Sequence, residues 1–357
     1  MEYRVDGAPF CFTSESCSVI ARVLIVGYGS IGSRHLRLAR QLLPEADIRV
    51  LRHQVDHFVP EFSNGCFYSL ESALCFAPQL AVVANPAPFH LNVALPLAEQ
   101  GVHLLIEKPL SDSAADISLL IELCQRRQCV LMVGYNLRFL PSLVRFRDLV
   151  RSGELAGKIA SVRCEIGQYL PTWRQGGDYR SGVSARKALG GGALLELSHE
   201  IDYLCWIFGR VDWVRAALLH QSGLEIDVED SAHLLIGFEP INDGHQLVAT
   251  LNMDFIRHDT TRICVAIGSE GSLRWNALTG CVDFFARGAA NWETIYSYTQ
   301  QRDESYLAEW QHFLRLIEDR ESPLVSGEDG LMVMEVIDAA RRAADSCGLE
   351  LINSGEQ

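Results

Sequence analysis

Short, nearly unbroken apolar runs punctuate the first third of the chain. They fall at 22–26 ("RVLIV"), 80–84 ("LAVVA") and 103–106 ("HLLI"), and each predicts a strand buried on both faces. Between them the pattern changes to a helical period, with Leu36, Leu38, Ala39 and Leu42 on one face of a helix after the first run. "DIRVLRHQ" reads as a second strand. A helix opened by His90 and ended by Gly101 follows, then one over about 113–126 and the strand "CVLMVGY". After "NLRFLP" the style differs. A helix over 141–151 precedes an alternating stretch at 158–168 and the irregular "PTWRQGGDYRSGVSARKALGGG". The pattern "ALLELSHEIDYLCWIFG" predicts a single helix closing on Gly209. Alternating strands are predicted at 211–219, 229–238, 246–255, 261–267 and 272–276, then helices at about 304–319 and 328–346. Strand–helix alternation followed by mostly antiparallel strands predicts an α/β doubly wound parallel sheet joined to an α+β domain. The boundary is placed near residue 137, giving a first domain at 21–137 and a second at 138–357, whose last helices are free to pack back on the first. Residues 1–20 read as a flexible extension.

Composition narrows the classes. The 357 residues are 48% hydrophobic and 21% charged, as in a soluble globular protein, with room for two domains. A net charge of −14 argues against nucleic acid or an anionic membrane as partner. No apolar run approaches the roughly 18 residues of a membrane span. The polar start "MEYRVDGAPFCFTSESCS" is no signal peptide. Eleven scattered cysteines without a C-x-x-C pair fit reduced, mostly buried thiols, and so a cytoplasmic protein. No metal-ligand spacing is present, so no metal is expected.

Gly27, Gly29 and Gly32 stand at G-x-G-x-x-G spacing between the first strand and the first helix. In that context the motif is a dinucleotide site. The first glycine permits the turn, the second lets backbone approach a pyrophosphate, and the third lets helix and strand pack closely. The helix start at Ser30 and Ile31 then faces the anion. The bland reading is an ordinary tight turn. At the end of the second strand, where an acid usually binds the ribose hydroxyls, the chain has Arg52 and His53. An arginine there suits a 2′-phosphate, so NADP(H) is favoured, with NAD(H) as the alternative; a solvated arginine is the bland reading. Asn85, Pro86 and His90 follow the 80–84 strand, and Glu107 and Lys108 end the 103–106 strand. Ligands of open α/β sheets bind outside these carboxyl ends, so all five are expected at the cofactor.

Lys108 stands out because only three of the 31 basic residues are lysine, the others being Lys158 and Lys187. An ammonium is compact and adjustable where guanidinium is not. Glu107 is its expected charge partner. Glu196, His199 and Asp202, spaced by three, are expected on one side of the helix after "GGG", where acid neighbours would orient the imidazole and raise its pKa. The expected chemistry is hydride transfer between a substrate C–H and a nicotinamide, with His199 as general base and Lys108 holding the substrate oxygen. Capping or pairing is the bland reading of that helix. Trp173, Arg174, Tyr179, Arg180 and Lys187, together with Arg138, suit a polyhydroxylated or anionic ligand.

"VGYGSIGSRH", "NPAPFH", "EKPL", "GYNLRF", "GGGALLELSHEID" and "AIGSEGSLRW", in this order, resemble the Gfo/Idh/MocA family of NAD(P)-dependent oxidoreductases over roughly residues 21–350. The resemblance implies a Rossmann domain, then a large, mainly antiparallel open sheet that often forms the face of a homodimer or homotetramer. It implies a catalytic Lys108 with a bond before Pro109 that is often cis. The family helix commonly reads Asp-x-x-x-His-x-x-Asp. This chain has Glu196-x-x-His199-x-x-Asp202. Anchoring on the glycines aligns Glu196, whereas anchoring on the histidine aligns His199 and Asp202, the choice taken for catalysis. The implied substrate is a sugar, a sugar derivative or a nucleotide sugar. The rival is a non-catalytic dinucleotide-sensing regulator of the same fold, which has no need of Lys108 and His199 together.

Overall fold

The computed structural model describes residues 20–55, 58–173, 177–240, 244–319 and 321–352. The chain begins with β1 (Arg22–Val26), α1 (Ser30–Leu42), β2 (Asp47–Leu51), β3 (Gly65–Phe67) and α2 (Leu70–Cys75). It continues through β4 (Leu80–Val83), α3 (His90–Glu99), β5 (His103–Glu107), α4 (Ile117–Arg127) and β6 (Leu131–Gly134). These six strands form one parallel sheet in the order β3-β2-β1-β4-β5-β6. Val23–Val26, Leu80–Val83 and Leu104–Ile106 are buried, as strands covered by helices on both faces must be. The order reverses direction between β1 and β4, which opens a crevice at their carboxyl ends.

A 3₁₀ turn at Asn136–Phe139 leads into α5 (Pro141–Ser152) and β7 (Ile159–Gly167). Then come α6 (Ala193–Glu196), α7 (His199–Phe208), β8 (Val211–Leu219), β9 (Ser231–Phe238) and β10 (Val248–Asp254). The chain ends with β11 (Thr261–Gly268), β12 (Gly271–Asn276), β13 (Cys281–Ala286), β14 (Glu293–Ser297), α8 (Glu304–Asp319), α9 (Gly327–Ser346) and β15 (Glu350–Leu351). The second sheet has nine strands, ordered β14-β13-β12-β11-β7-β10-β9-β8-β15, antiparallel except where β7 meets β10. One face buries Val162, Cys164, Leu234, Ile236, Leu251, Cys264 and Trp275. The other carries alternating residues such as Arg163, His233, Leu235 and Asn252.

The last helices tie the two sheets together. α8 packs on α1 and on the 136–139 turn, and α9 packs on α4, β6, α7 and β8. A buried ion pair pins this junction. Arg138 and Asp202 are 2% and 0% exposed, and the guanidinium donates to both Asp202 oxygens at 2.7–3.1 Å. It also donates to Asp329 Oδ1 at 3.1 Å and Leu324 O at 2.9 Å, at the start of α9. Arg138 was expected to bind substrate and Asp202 to serve catalysis. Both are instead spent on each other inside the protein, because a charge so deeply buried needs a partner more than a ligand.

The single helix expected over "ALLELSHEIDYLCWIFG" is broken. α6 stops at Glu196, and α7 starts at His199. Glu229 fixes the start of α6, its carboxylate accepting from Leu194 N–H at 3.0 Å and its carbonyl from Ala193 N–H at 3.1 Å. The break means that Glu196, His199 and Asp202 do not share one helical face. Glu196 looks to the cleft and Asp202 to the junction.

Candidate active site

A cleft runs along the carboxyl ends of β1, β4 and β5. Gly29, Ser30, Ile31 and Arg34 line one end, Asn85, Pro86, His90, Glu107 and Lys108 the floor, and Val183, Leu189, Gly190, Glu196 and Tyr306 the far wall. The glycine turn is built as its sequence requires. Gly27 has φ +89°, and a Cβ there would stand 2.8 Å from Ala84 O. A Cβ on Gly32 would stand 2.3 Å from Gly27 O. Gly29 differs: a Cβ on it would meet nothing within 4 Å. Its side faces open space, where a ligand's backbone-hugging group can lie. α1 has no side-chain N-cap and no acid in its first turn, so its amide dipoles are left for an anion. Buried Asn85 Oδ1 has no hydrogen-bond partner. Glycine cradle, uncapped helix start and orphan amide oxygen together fit a dinucleotide.

At the end of β2, the Arg52 guanidinium lies 5.7 Å from the Tyr28 ring and 5.6 Å from the Phe58 ring, and donates to Phe58 O at 3.1 Å. His53, beside it, is exposed. His90 braces the cleft floor. Its Nε2 is 2.7 Å from Asn85 O and its Nδ1 3.3 Å from Leu110 O, linking the chain after β4 to the chain after β5. Burial lowers its pKa despite these carbonyls.

Lys108 follows β5, and its bond to Pro109 is cis. Its ammonium donates to Glu196 O at 2.8 Å and lies 3.8 Å from Glu196 Oε2. Its expected partner, Glu107, is engaged elsewhere. Glu107 Oε1 is 2.7 Å from His35 Nε2, and Oε2 accepts the Lys108 backbone N–H at 3.2 Å. The side chain of Glu107 points back into the sheet while that of Lys108 crosses to the second domain, because consecutive residues at a strand end face opposite ways.

His199 heads α7. Its ring meets Tyr135 edge-on, with centroids 5.5 Å apart, and its buried Nδ1 has no hydrogen-bond partner. Its pKa is held well below the ordinary 6.5, first by desolvation, then by the positive charges of Lys108 and Arg262. The expectation of a raised pKa is overturned. The acids that were to raise it are committed to Lys108 and Arg138, so a neutral imidazole stands beside an ammonium. Arg262 itself pairs with buried Glu200 at 2.8 Å.

The loop residues expected at the substrate are spread apart. Trp173 and Tyr179 line a separate hollow with Leu170 and Ser184. Arg180 is exposed and pairs with Asp178 and Glu225, each at 2.8 Å. Lys187 is exposed, its backbone N–H on Asp227. Arg174 lies outside the described residues. Reading the sequence missed His35, Arg34, Tyr306 and Arg262. Only His35 left a signal, as a polar residue on the apolar face of α1.

Two sheets of this kind, with a glycine turn at the switch point and a lysine at the end of β5, define a two-domain dinucleotide-binding protein. Residues 21–135 match the model of the oxidoreductase family with an NAD-binding Rossmann fold, and residues 143–274 match the GFO/IDH/MocA C-terminal domain. The chain belongs to the Gfo/Idh/MocA oxidoreductase family. Over 346 residues it is 21% identical to myo-inositol 2-dehydrogenase of Thermotoga maritima, covering 91% of this chain and 96% of that one. Over 285 residues it is 26% identical to D-xylose 1-dehydrogenase (NADP(+)) 2 of Haloferax volcanii, covering 78% and 82%. A solved levoglucosan dehydrogenase, in complex with NADH and L-sorbose, superposes with a TM-score of 0.79 at 20% identity, over 93% of this chain and 99% of that one. Among the described residues no helix is long and apolar enough to cross a membrane, and no group of acids, histidines and cysteines could hold a metal.

Proposed function

We propose that the chain is an NAD(P)-dependent dehydrogenase that moves a hydride between nicotinamide and a hydroxyl-bearing carbon of a sugar, sugar derivative or nucleotide sugar. The observation that carries this reading is the ammonium of Lys108 in the cleft beside a neutral His199. The nicotinamide, when bound, supplies the hydride-accepting carbon. Gly29, Ser30 and Ile31 would hold the pyrophosphate, through backbone N–H groups. Lys108 holds the substrate oxygen and offsets the negative charge that grows there as its proton leaves. His199, uncharged at neutral pH, accepts that proton, and the low basicity imposed first by burial and then by Lys108 and Arg262 lets it return the proton easily. Glu196 holds the ammonium through its carbonyl, so its carboxylate stays close without quenching the charge. The named activities of the sugar and polyol dehydrogenases to which the chain is similar support the substrate class.

NADP(H) is the preferred cofactor in this reading. Arg52, stacked at the end of β2 where an acid usually sits, presents a planar cation to a 2′-phosphate. The division into a cofactor part at 21–137 and a substrate part from 138 onward follows the two sheets. The outer face of the nine-stranded sheet, with Leu219 and Leu235 exposed, is assigned to a dimer or tetramer contact, which sedimentation would measure. The catalytic reading is tested by incubating the protein with each oxidised cofactor and a panel of sugars, polyols and nucleotide sugars, and following nicotinamide absorbance. Reduction with one sugar class supports it. Binding of cofactor without turnover on any class contradicts it.

A further inference from the structure

Three buried side chains lie directly behind Lys108 and take no part in the chemistry above. His35 is wholly buried on α1, the helix that follows the glycine turn. The indole N–H of Trp310, on α8, donates to His35 Nδ1 at 2.9 Å. An indole nitrogen can only donate, so Nδ1 must be the unprotonated nitrogen of the ring. The ring proton is therefore on Nε2, which donates to Glu107 Oε1 at 2.7 Å. Glu107 Oε2 in turn accepts the backbone N–H of Lys108 at 3.2 Å. Every donor in this series has one acceptor, and the direction is fixed from the indole inward. It joins three elements far apart in sequence: α8, the helix α1 that follows the glycine turn, and the strand end that carries the lysine.

A second acid lies beside this series. Glu309, next to Trp310, is wholly buried, and neither of its oxygens has a hydrogen-bond partner. Burial, and after it the charge of Glu107, push its pKa well above the ordinary carboxylate value, which favours its uncharged form. Tyr306 closes the other side, its ring edge-on to His35 at 5.9 Å and its face under Arg34 at 4.7 Å. The pocket thus places two carboxyl groups, of Glu107 and Glu309, behind the peptide that carries Lys108.

We propose that Trp310, His35 and Glu107 form a positioning relay that sets Lys108 in the cleft. The indole fixes the tautomer of His35, the imidazole fixes the rotamer of Glu107, and the carboxylate fixes the peptide that carries Lys108. α8 thereby helps aim a residue from the opposite end of the sheet. These are positioning residues: Trp310 and His35 are wholly buried, and Glu107, which lines the cleft floor, has both carboxylate oxygens engaged, by His35 and by the Lys108 N–H. Their catalytic consequence rests on the proposed role of Lys108.

The chain's three lysines make a direct test practical. Full-length protein labelled with ¹³Cε-lysine gives three side-chain signals, and Lys108→Arg assigns the one from the cleft. Trp310→Phe keeps the ring volume and removes only the N–H. It should shift and broaden the Lys108 signal while those of Lys158 and Lys187 stay in place. His35→Leu should do the same more strongly. His35→Gln, whose amide can both accept and donate, should restore much of the wild-type signal. Glu309→Gln, isosteric with the uncharged acid, should leave it unchanged. In turnover, Trp310→Phe should lower kcat roughly 10- to 100-fold with cofactor Kd within about twofold. An unmoved Lys108 signal in both Trp310→Phe and His35→Leu would overturn the relay, as would equal effects of His35→Leu and His35→Gln. If the signals move as stated and no sugar is turned over by wild type, the relay stands and the dehydrogenase reading fails.

Discussion

Replacing Gly29 by alanine separates a cofactor role from a structural one. Its backbone, φ −83° and ψ −167°, is extended and open to any residue. A Cβ there meets no protein atom within 4 Å, so the protein alone gives no reason for glycine. In such a compatible position alanine should stabilise the fold by about 0.4–1 kcal/mol, through the unfolded chain. The same methyl stands on the open side of the uncapped start of α1. There it would push a pyrophosphate away from the helix amides and remove at least one charge-assisted hydrogen bond, costing about 1.5–3 kcal/mol. At about 1.4 kcal/mol per decade this is a rise in Kd of roughly 10- to 100-fold. Gly32→Ala is the contrast. Its Cβ would press on Gly27 O at 2.3 Å, backbone against backbone, so it should lose stability by about 1–3 kcal/mol as well as binding. Fluorescence titration with NADPH and NADH, beside thermal melts, reads both quantities. A Gly29→Ala protein that melts like wild type and binds both cofactors with wild-type affinity would refute the placement of the pyrophosphate.

Three further outcomes are expected. Arg138→Met alone should cost about 3–5 kcal/mol by urea unfolding, because it strands the buried Asp202 carboxylate, whereas pairing it with Asp202→Leu should recover most of the loss. Wild type should bind NADPH more tightly than NADH, and Arg52→Asp should reverse the order; equal affinities in wild type would remove Arg52 from cofactor choice. The lowered pKa of His199 makes stability depend on pH with a fixed sign. As pH falls below the ordinary histidine value of 6.5, the unfolded chain takes up a proton that the native ring refuses, so the native state loses stability. Urea melts should show that slope, to which His90, His103 and His312 also contribute, and His199→Gln should make it shallower; an unchanged slope would mean that the ring is not held neutral.

The parts of this molecule set by local pattern were legible in the sequence. Runs such as 22–26 and the glycines after them carry strand, turn and helix within a dozen residues, and the helix expected at 304–319 is α8, Glu304–Asp319. β13 and the edge strand β14 were not seen; β14 is short and solvated on both sides and shows little alternation. The start of α6 is fixed by Glu229, which reaches it from 35 residues away, and the break between Glu196 and His199 leaves no mark in the apolar pattern. The site shows the same division. Its members at strand ends, Asn85, Glu107 and Lys108, followed from topology. Their partners did not, since His35 and Glu107 are 72 residues apart and Trp310 and His35 are 275 apart. Reading Glu107–Lys108 and His199–Asp202 as side-chain pairs took nearness in sequence for pairing, whereas the fold gives each acid another partner, His35 for Glu107 and Arg138 for Asp202.

In the proposed reaction the Lys108 ammonium serves the chemistry and not the fold. Lys108→Arg keeps the charge but replaces a compact donor with a longer planar one, against a carbonyl now 2.8 Å from the nitrogen. Turnover of Lys108→Arg, measured with cofactor affinity and melting temperature on the same preparation, tests this directly. The account predicts a loss of about 100- to 1000-fold in kcat, with cofactor affinity and melting temperature near wild type. A Lys108→Arg protein that turns over substrate at close to the wild-type rate would contradict it.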